Sequence, residues 1–210
     1  MTEFSRTHPS PRYTAMVDLC RRLHAEGDQL NRIVAAETFD GRSLIPYIQP
    51  IVGLAKQLRA SSILYYGAGK GMAYGEARAK LPDGRELVGL QAIWDVASIT
   101  LYDPAYPPHS ALPTGQFDGV ISTDVLEHCP EEDVPWMIAE IFGYARRFVF
   151  VSIACYPARK KLPTGDNAHI TLKPAGWWLD RLEAVAQRRP DVRYFAAIVV
   201  EGGRTLRIQG

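Results

Sequence analysis

Apolar positions along this chain switch between two spacings, one near 3.6 residues and one of short continuous runs. Residues 12–36 place Met16, Leu19, Leu23, Leu30 and Ile33 at helical spacing, with Gly27 as a break, and residues 43–58 repeat the pattern through Leu44, Ile48, Ile51, Val52 and Ala55. Pro46 falls in the first turn if Ser43 is the cap, whereas Pro50 should kink the second helix or delay its start. Compact apolar runs at 62–66 (SILYY), 98–102 (SITLY), 117–123 (FDGVIST) and 148–153 (FVFVSI) predict strands. The last has few polar atoms, as expected when helices cover both faces of a parallel sheet. Between the strands, residues 72–81 suit a helix that stops at the Pro82-Asp83-Gly84 turn. Pro130-Glu131-Glu132-Asp133 opens another, with an early proline and acids at the positive end of the dipole. Its core face would be Val134, Met137, Ile138, Ile141 and Phe142, and Arg146 and Arg147 would complement its far end. Residues 174–187 predict a last helix carrying Trp177, Trp178, Leu182 and Val185. Runs at 194–200 and 205–208 flank Glu201-Gly202-Gly203-Arg204 and predict a closing hairpin.

Strands alternating with helices imply an α/β fold: a doubly wound, mostly parallel Rossmann-like sheet with a C-terminal antiparallel hairpin and N-terminal helices. We expect residues 1–60 to form a helical extension or lid over a domain spanning 61–210. The segment 104–116 holds four prolines and no apolar period, so it should carry neither helix nor strand. Residues 155–172 read as a loop rich in Pro, Lys, Gly, Asp and Asn, long enough to be functional or mobile. With 210 residues, 47% of them hydrophobic, the chain can bury one sizeable core, and its formal charge of +1 supplies no global field toward nucleic acid or anionic lipid. The start lacks an apolar signal core and no run of eighteen apolar residues follows, so a cytoplasmic protein without membrane contact is expected. Cys20, Cys129 and Cys155 are odd in number and form no CxxC, which fits reduced thiols acting as small hydrophobes.

The candidate chemistry sits at strand ends. The first predicted strand runs into Gly67-Ala68-Gly69-Lys70-Gly71, and the second ends on Asp103, thirty-six positions after Gly67. Glycines there let the backbone turn sharply and approach a ligand, or simply close a tight turn. Met72 breaks a GxGxxG dinucleotide fingerprint, and Gly71 stands where a phosphate loop needs Ser or Thr after its lysine. A carboxylate at the end of the second strand can accept both hydroxyls of a ribose, although Asp-Pro is also a good turn former. Residues 111–128 then read ALPTGQFDGVISTDVLEH. This order of motifs, from about residue 62 to 178, resembles that of class I S-adenosylmethionine-dependent methyltransferases. The resemblance implies that Gly67, Ala68, Gly69 and Gly71 hold the methionine end of S-adenosyl-L-methionine and that Asp103 holds its ribose. It also implies that Ser122, Thr123 and Asp124 line the pocket floor and that residues 112–117 lie near the adenine. Three features depart from the family pattern. Tyr65 takes the place of the usual acid two residues before the first glycine, the interval to Asp103 is long, and the segment after Asp103 is too short for the usual extra strand. A trimmed sheet with an unusual adenine wall is expected.

Asp124, Glu127 and His128 would share one face of a helical turn, and His169 follows the next strand over the same sheet edge. Two imidazoles and two carboxylates can serve as acid and base or hold a divalent ion. The grouping is similar to the E-x-x-E-H plus later His site of metal-dependent methyltransferases that act on the 3′-terminal ribose of small RNAs, with Asp124 for the first glutamate, while LEH also occurs widely in metal-free relatives. Metal is left open. His128, Glu127 and His169 are the candidates for catalysis. Arg159, Lys160 and Lys161 beside Tyr156 could attract an anionic acceptor or be ordinary solvated charge. The expectation is an enzyme that moves a methyl group from S-adenosylmethionine to an oxygen or nitrogen of a small polar acceptor. The alternatives are a non-catalytic nucleoside-binding protein and a metal-dependent RNA ribose 2′-O-methyltransferase, the neutral charge counting against RNA. The acceptor and the oligomeric state are not legible.

Overall fold

The computed structural model describes residues 4–203 and 205–209. Helix α1 (Pro11–Glu26) begins where Ser10 caps it, its side chain accepting from the Tyr13 N–H at 3.0 Å. It ends at Gly27, whose φ of 82° few other residues adopt without strain. The helical spacing read over residues 12–36 is not realised past the Gly27 break: Asp28 bridges Ile33, and only a 3-10 turn at Ala35–Glu37 follows. A second 3-10 segment (Arg42–Tyr47) leads into α2 (Ile48–Gln57), so Pro50 delays the helix as expected, and Ser43 caps nothing.

Strand β1 (Ser62–Tyr66) is followed by a four-residue helix, α3 (Ala73–Glu76), where the sequence suggests a longer one. Gly75 weakens that helix, and Arg78 ends it by donating to the carbonyls of Gly75, Glu76 and Ala77. Residues 78–88 then make a separate hairpin, β2 (Arg78–Lys80) and β3 (Glu86–Val88), which sets Lys80 opposite Glu86 across the Asp83-Gly84 turn. This hairpin and α4 (Leu90–Trp94) account for the long interval before β4 (Ser98–Tyr102). Residues 104–116 contain only a 3-10 turn. The remaining elements are β5 (Phe117–Thr123), α5 (Val134–Tyr144), β6 (Ala145–Ala154), α6 (Ala175–Ala186), β7 (Arg193–Val199) and β8 (Thr205–Gln209). Arg204, in the expected Gly-Gly turn, lies outside the described residues.

The six-stranded sheet has the order β4-β1-β5-β6-β7-β8, parallel except for the last pair. Strand alternation divides the core between its faces. Leu64 and Tyr66 pack with Val120, Met137, Phe142 and Trp178 on one side. Ile63 and Tyr65 pack with Ile51, Leu90, Trp94 and Phe148 on the other. Gly119 is required because any β-carbon there would overlap the Phe148 ring. All five expected core positions of α5 are buried. Arg146 and Arg147, however, belong to β6, where Arg147 pairs with Asp118 at 3.2 Å. The helix end is served by Arg189, which donates to the carbonyls of Phe142 and Ala145 at 2.7 and 2.9 Å. From β1 the chain crosses to β4 on one side, and β5 lies on the other. The C-terminal edge at β1 and β5 is therefore the switch point at which α/β sheets open a crevice.

Candidate functional site

A cavity of about 780 Å³ opens at that edge, bordered by the exits of β1, β4 and β5, one face of α1, residues 37–43 and the loop after β6. The glycine turn forms one wall. Gly67, Gly69 and Gly71 have φ of 76°, 55° and 61°. A β-carbon would meet the Val125 side chain at Gly67, the Phe39 carbonyl at Gly69 and Leu101 at Gly71. The local sequence is therefore demanded by the packing of the turn itself. Its amides are also occupied. Gly67 and Ala68 donate to the Tyr102 carbonyl, Lys70 to that of Phe39 and Met72 to that of Asp40, at 2.8 to 3.0 Å. A phosphate would find no free row of N–H groups here.

Asp103 touches the turn directly. One carboxylate oxygen accepts from the Gly69 N–H and the other from the Ala105 N–H, both at 2.8 Å. Burial pushes its pKa up, against the pull of those amides and of His109. Each oxygen keeps a further lone pair, and the residue borders the cavity, so it can still receive a sugar hydroxyl. Tyr65, in the place of the usual acid, is buried on the opposite face and bonds Thr123 through its hydroxyl at 2.9 Å. Burial pushes its phenol up to about 12.

At the β5 exit the backbone takes a left-handed turn at Asp124 (φ 60°) and a single 3-10 turn, Leu126–His128, follows. Asp124 Oδ1 lies 3.9 Å from His128 Nε2 and 4.0 Å from His169 Nε2. Each imidazole is oriented from behind by the backbone: His128 Nδ1 donates to the Ala168 carbonyl at 2.8 Å and His169 Nδ1 to the Tyr156 carbonyl at 2.6 Å. Those bonds place a proton on Nδ1, so Nε2 is the atom that each ring turns toward Asp124. Burial would raise the Asp124 pKa, but the two imidazoles and Lys160 hold it below its ordinary value. His128 is raised, because Asp124 and Glu127 outweigh its burial, while burial lowers His169.

Glu127 is not part of the cavity wall. It is fully buried, and Oε1 accepts from the Ala154 N–H at 2.5 Å, while Oε2 has no partner among the described residues. Burial, strengthened by Asp124, pushes its pKa up to about 7. Its geometry is that of a brace between the β5 exit and the end of β6, which corrects the expectation that it acts on a substrate.

The cavity gathers Gly67, Ala68, Gly69, Asp103, Thr123, Asp124, His128 and His169. Gly71, Ser122 and residues 112–117, which the resemblance would place at the cofactor, do not line it. Pro104 and Ala105 line it, with Tyr13, Val17 and Cys20 from α1, residues whose spacing reads simply as core. Trp178 is core, and Trp177 lies beneath the Arg181 guanidinium at 3.3 Å. Arg159, Lys160 and Lys161 border the mouth, and their side chains form no ion pair among the described residues.

Two tethers hold α1 over the cavity, and neither is apparent in the sequence. Arg6 makes a two-pronged pair with Glu140 and donates to the Tyr66 hydroxyl at 2.7 Å. The Ser10 N–H donates to buried Asp133 at 3.0 Å. No helix among the described residues is long and apolar enough to cross a membrane. No family model, curated protein or solved structure matches the chain.

Proposed function

We propose that this protein is an S-adenosylmethionine-dependent methyltransferase acting on an oxygen or nitrogen of a small polar acceptor. The observation that carries this reading is the convergence of the glycine turn, Asp103 and the Asp124–His128–His169 cluster on one cavity at the switch point of the sheet. The occupied amides of the turn speak against a phosphate-bearing nucleotide and fit a nucleoside whose charge is a sulfonium. Pockets of a few hundred to about 1,000 Å³ take ligands of drug size, so about 780 Å³ leaves room for a donor and a small acceptor together. Gly67 to Gly69 would receive the methionine end, Asp103 the ribose, and the wall of Ala105, Val17 and Cys20 the base.

In the transfer, an acceptor oxygen or nitrogen forms a bond to the methyl carbon as the carbon–sulfur bond breaks, and the sulfonium leaves as a neutral thioether. The donor supplies the reactive carbon, so the chain's residues mainly align the acceptor and take its proton. His128 and His169 present Nε2 to the cavity side for that proton, and Asp124 would stabilise the imidazolium formed. Calorimetric titration with S-adenosylmethionine and S-adenosylhomocysteine tests the reading. Saturable binding weakened at least tenfold by Asp103→Asn is expected, and folded protein that gives no heat with either ligand overturns it. Binding without turnover on any acceptor would favour the non-catalytic nucleoside binder.

A further inference from the structure

The loop after β6 is an ordered frame rather than a slack connection. Residues 160–168 close a tight hairpin: Lys161 bridges Asn167, the Leu162 N–H donates to the Asp166 carbonyl at 2.8 Å and the Ala168 N–H to that of Lys160 at 3.1 Å. Leu162 is buried and anchors it. Two asparagines fix it further. The Asn167 amide pairs reciprocally with the Ala158 main chain, accepting from its N–H at 2.9 Å and donating to its carbonyl at 2.8 Å. The same amide oxygen accepts from the His169 N–H at 3.0 Å. Asn31, itself held by Asp28, makes the equivalent pair with the Lys161 main chain at 2.8 and 3.3 Å. Ordering a backbone costs conformational entropy, which a merely solvated run of charge does not have to meet.

This frame carries Arg159, Lys160 and Lys161, whose exposed side chains border the cavity with no ion pair among the described residues. Several acids on the same border are already engaged: Asp28 with Asn31, Asp40 with Arg42, and Asp103 with the Gly69 and Ala105 amides. Glu37 and Glu201 are exposed and pair with none of the three cations. Burial pushes the Asp124 carboxyl up, but Lys160 joins the two imidazoles in holding it below its ordinary value, so the basic run acts on the histidine cluster. Asn167 fixes both the residue before Arg159 and His169, which gives the cations and the imidazole a set separation. An acceptor gripped there by a charged end presents its reacting atom to the imidazoles in a constant position. A guanidinium grips an oxyanion with two parallel N–H bonds, and a neighbouring ammonium adds a point charge. We propose that the acceptor carries an oxyanion, a carboxylate or a phosphate, and that Arg159 and Lys160 select it. Their role in choosing an acceptor rests on the methyl-transfer reading, but the grip on the anion needs no donor, so the two can fail separately.

The test titrates the full chain, free of nucleoside, with phenyl phosphate, benzoate, benzamide and benzylamine. These probes share a ring suited to Tyr156 and Leu162, which line the cavity, and differ in charge. Phenyl phosphate or benzoate should bind about tenfold more tightly than benzamide, with benzylamine weakest, and the anion affinity should fall as salt rises. The tighter anion identifies the group as phosphate or carboxylate, and either supports the proposal. The double variant Arg159→Gln, Lys160→Gln, altered only at exposed positions, should keep the fold, weaken that anion about tenfold and leave benzamide unchanged. Absence of anion binding at millimolar concentration, benzamide or benzylamine binding as tightly as the anions, or the double variant binding them like the parent overturns the proposal. A last comparison uses S-adenosylhomocysteine on any parent chain that binds it. The double variant should match the parent, and a loss of about tenfold would show that these cations hold the donor's own carboxylate, which refutes their part in selecting the acceptor.

Discussion

At the scale of single residues, glycine and histidine positions separate packing from chemistry. Gly69 combines φ of 55° with contact against the Phe39 carbonyl, so Gly69→Ala should cost about 2–5 kcal/mol in chemical denaturation, ligand or no ligand. His24 offers a pH test away from the cluster. It is buried, its Nδ1 lies 3.0 Å from Lys70 Nζ, and its ring stacks on Tyr106 with centroids 4.8 Å apart. Burial, then Lys70 and His109, lowers its pKa from 6.5 to about 4. Between those values the unfolded chain binds more protons than the folded one, so stability is lost as pH falls from about 6.5 toward 4. Urea midpoints at pH 7 and pH 5 should differ more for the parent chain than for His24→Gln. Equal differences would show that Lys70 and the burial leave this imidazole untouched.

Among the elements, α1 is the one whose role the structure changes most. Its polar tethers are the Arg6–Glu140 pair and the Ser10–Asp133 bond, and Arg6 also lies 4.8 Å from the Trp136 ring centroid. Removing Glu140 leaves a largely buried guanidinium unpaired, so Glu140→Ala should cost about 3 kcal/mol and Ser10→Ala about 1 kcal/mol. Both should weaken the proposed nucleoside binding, because Tyr13, Val17 and Cys20 of α1 line the cavity. Calorimetry on Ser10→Ala checks this, and unchanged affinity would detach α1 from the ligand. Element identity was largely legible: the strands from β1, β4, β5 and β6, and helices α5 and α6, follow from apolar period and turn residues. The exceptions have local causes. In residues 72–81 a glycine and a charged pairing across Asp83-Gly84 outweighed helical spacing, and Arg189 took the capping role that adjacency suggested for Arg146 and Arg147.

For the whole molecule, the N-terminal segment is continuous with the core of the sheet. Tyr13 packs with Leu64, Tyr66 and Met137 on one face, and Leu44, Ile51 and Ala55 pack with Ile63 and Tyr65 on the other. A lid that opens freely would need a separate, weaker interface. We expect one cooperative unfolding transition. Trp136 packs edge-on against Tyr13 with centroids 5.2 Å apart, so the fluorescence difference between the parent and Trp136→Phe reports the docking of this segment, whereas far-ultraviolet dichroism reports the helices and sheet. The two denaturation curves should coincide, and an earlier fluorescence change would show that residues 4–47 detach first.

The amino-acid order by itself determined the alternation of strands and helices, the glycine turn and the acid ending the second strand, because period, turn chemistry and strand ends are local properties of the chain. It also marked Asp124, Glu127, His128 and His169 as residues able to do chemistry. Only the tertiary structure decided that Glu127 turns inward while His169, forty-one positions after His128, comes within reach of Asp124. The same holds for the wall that α1 supplies and for the partners that occupy the amides of the glycine turn. These depend on contacts between segments distant in sequence, and such contacts are set by the joint packing of the sheet and its covering helices rather than by any local pattern.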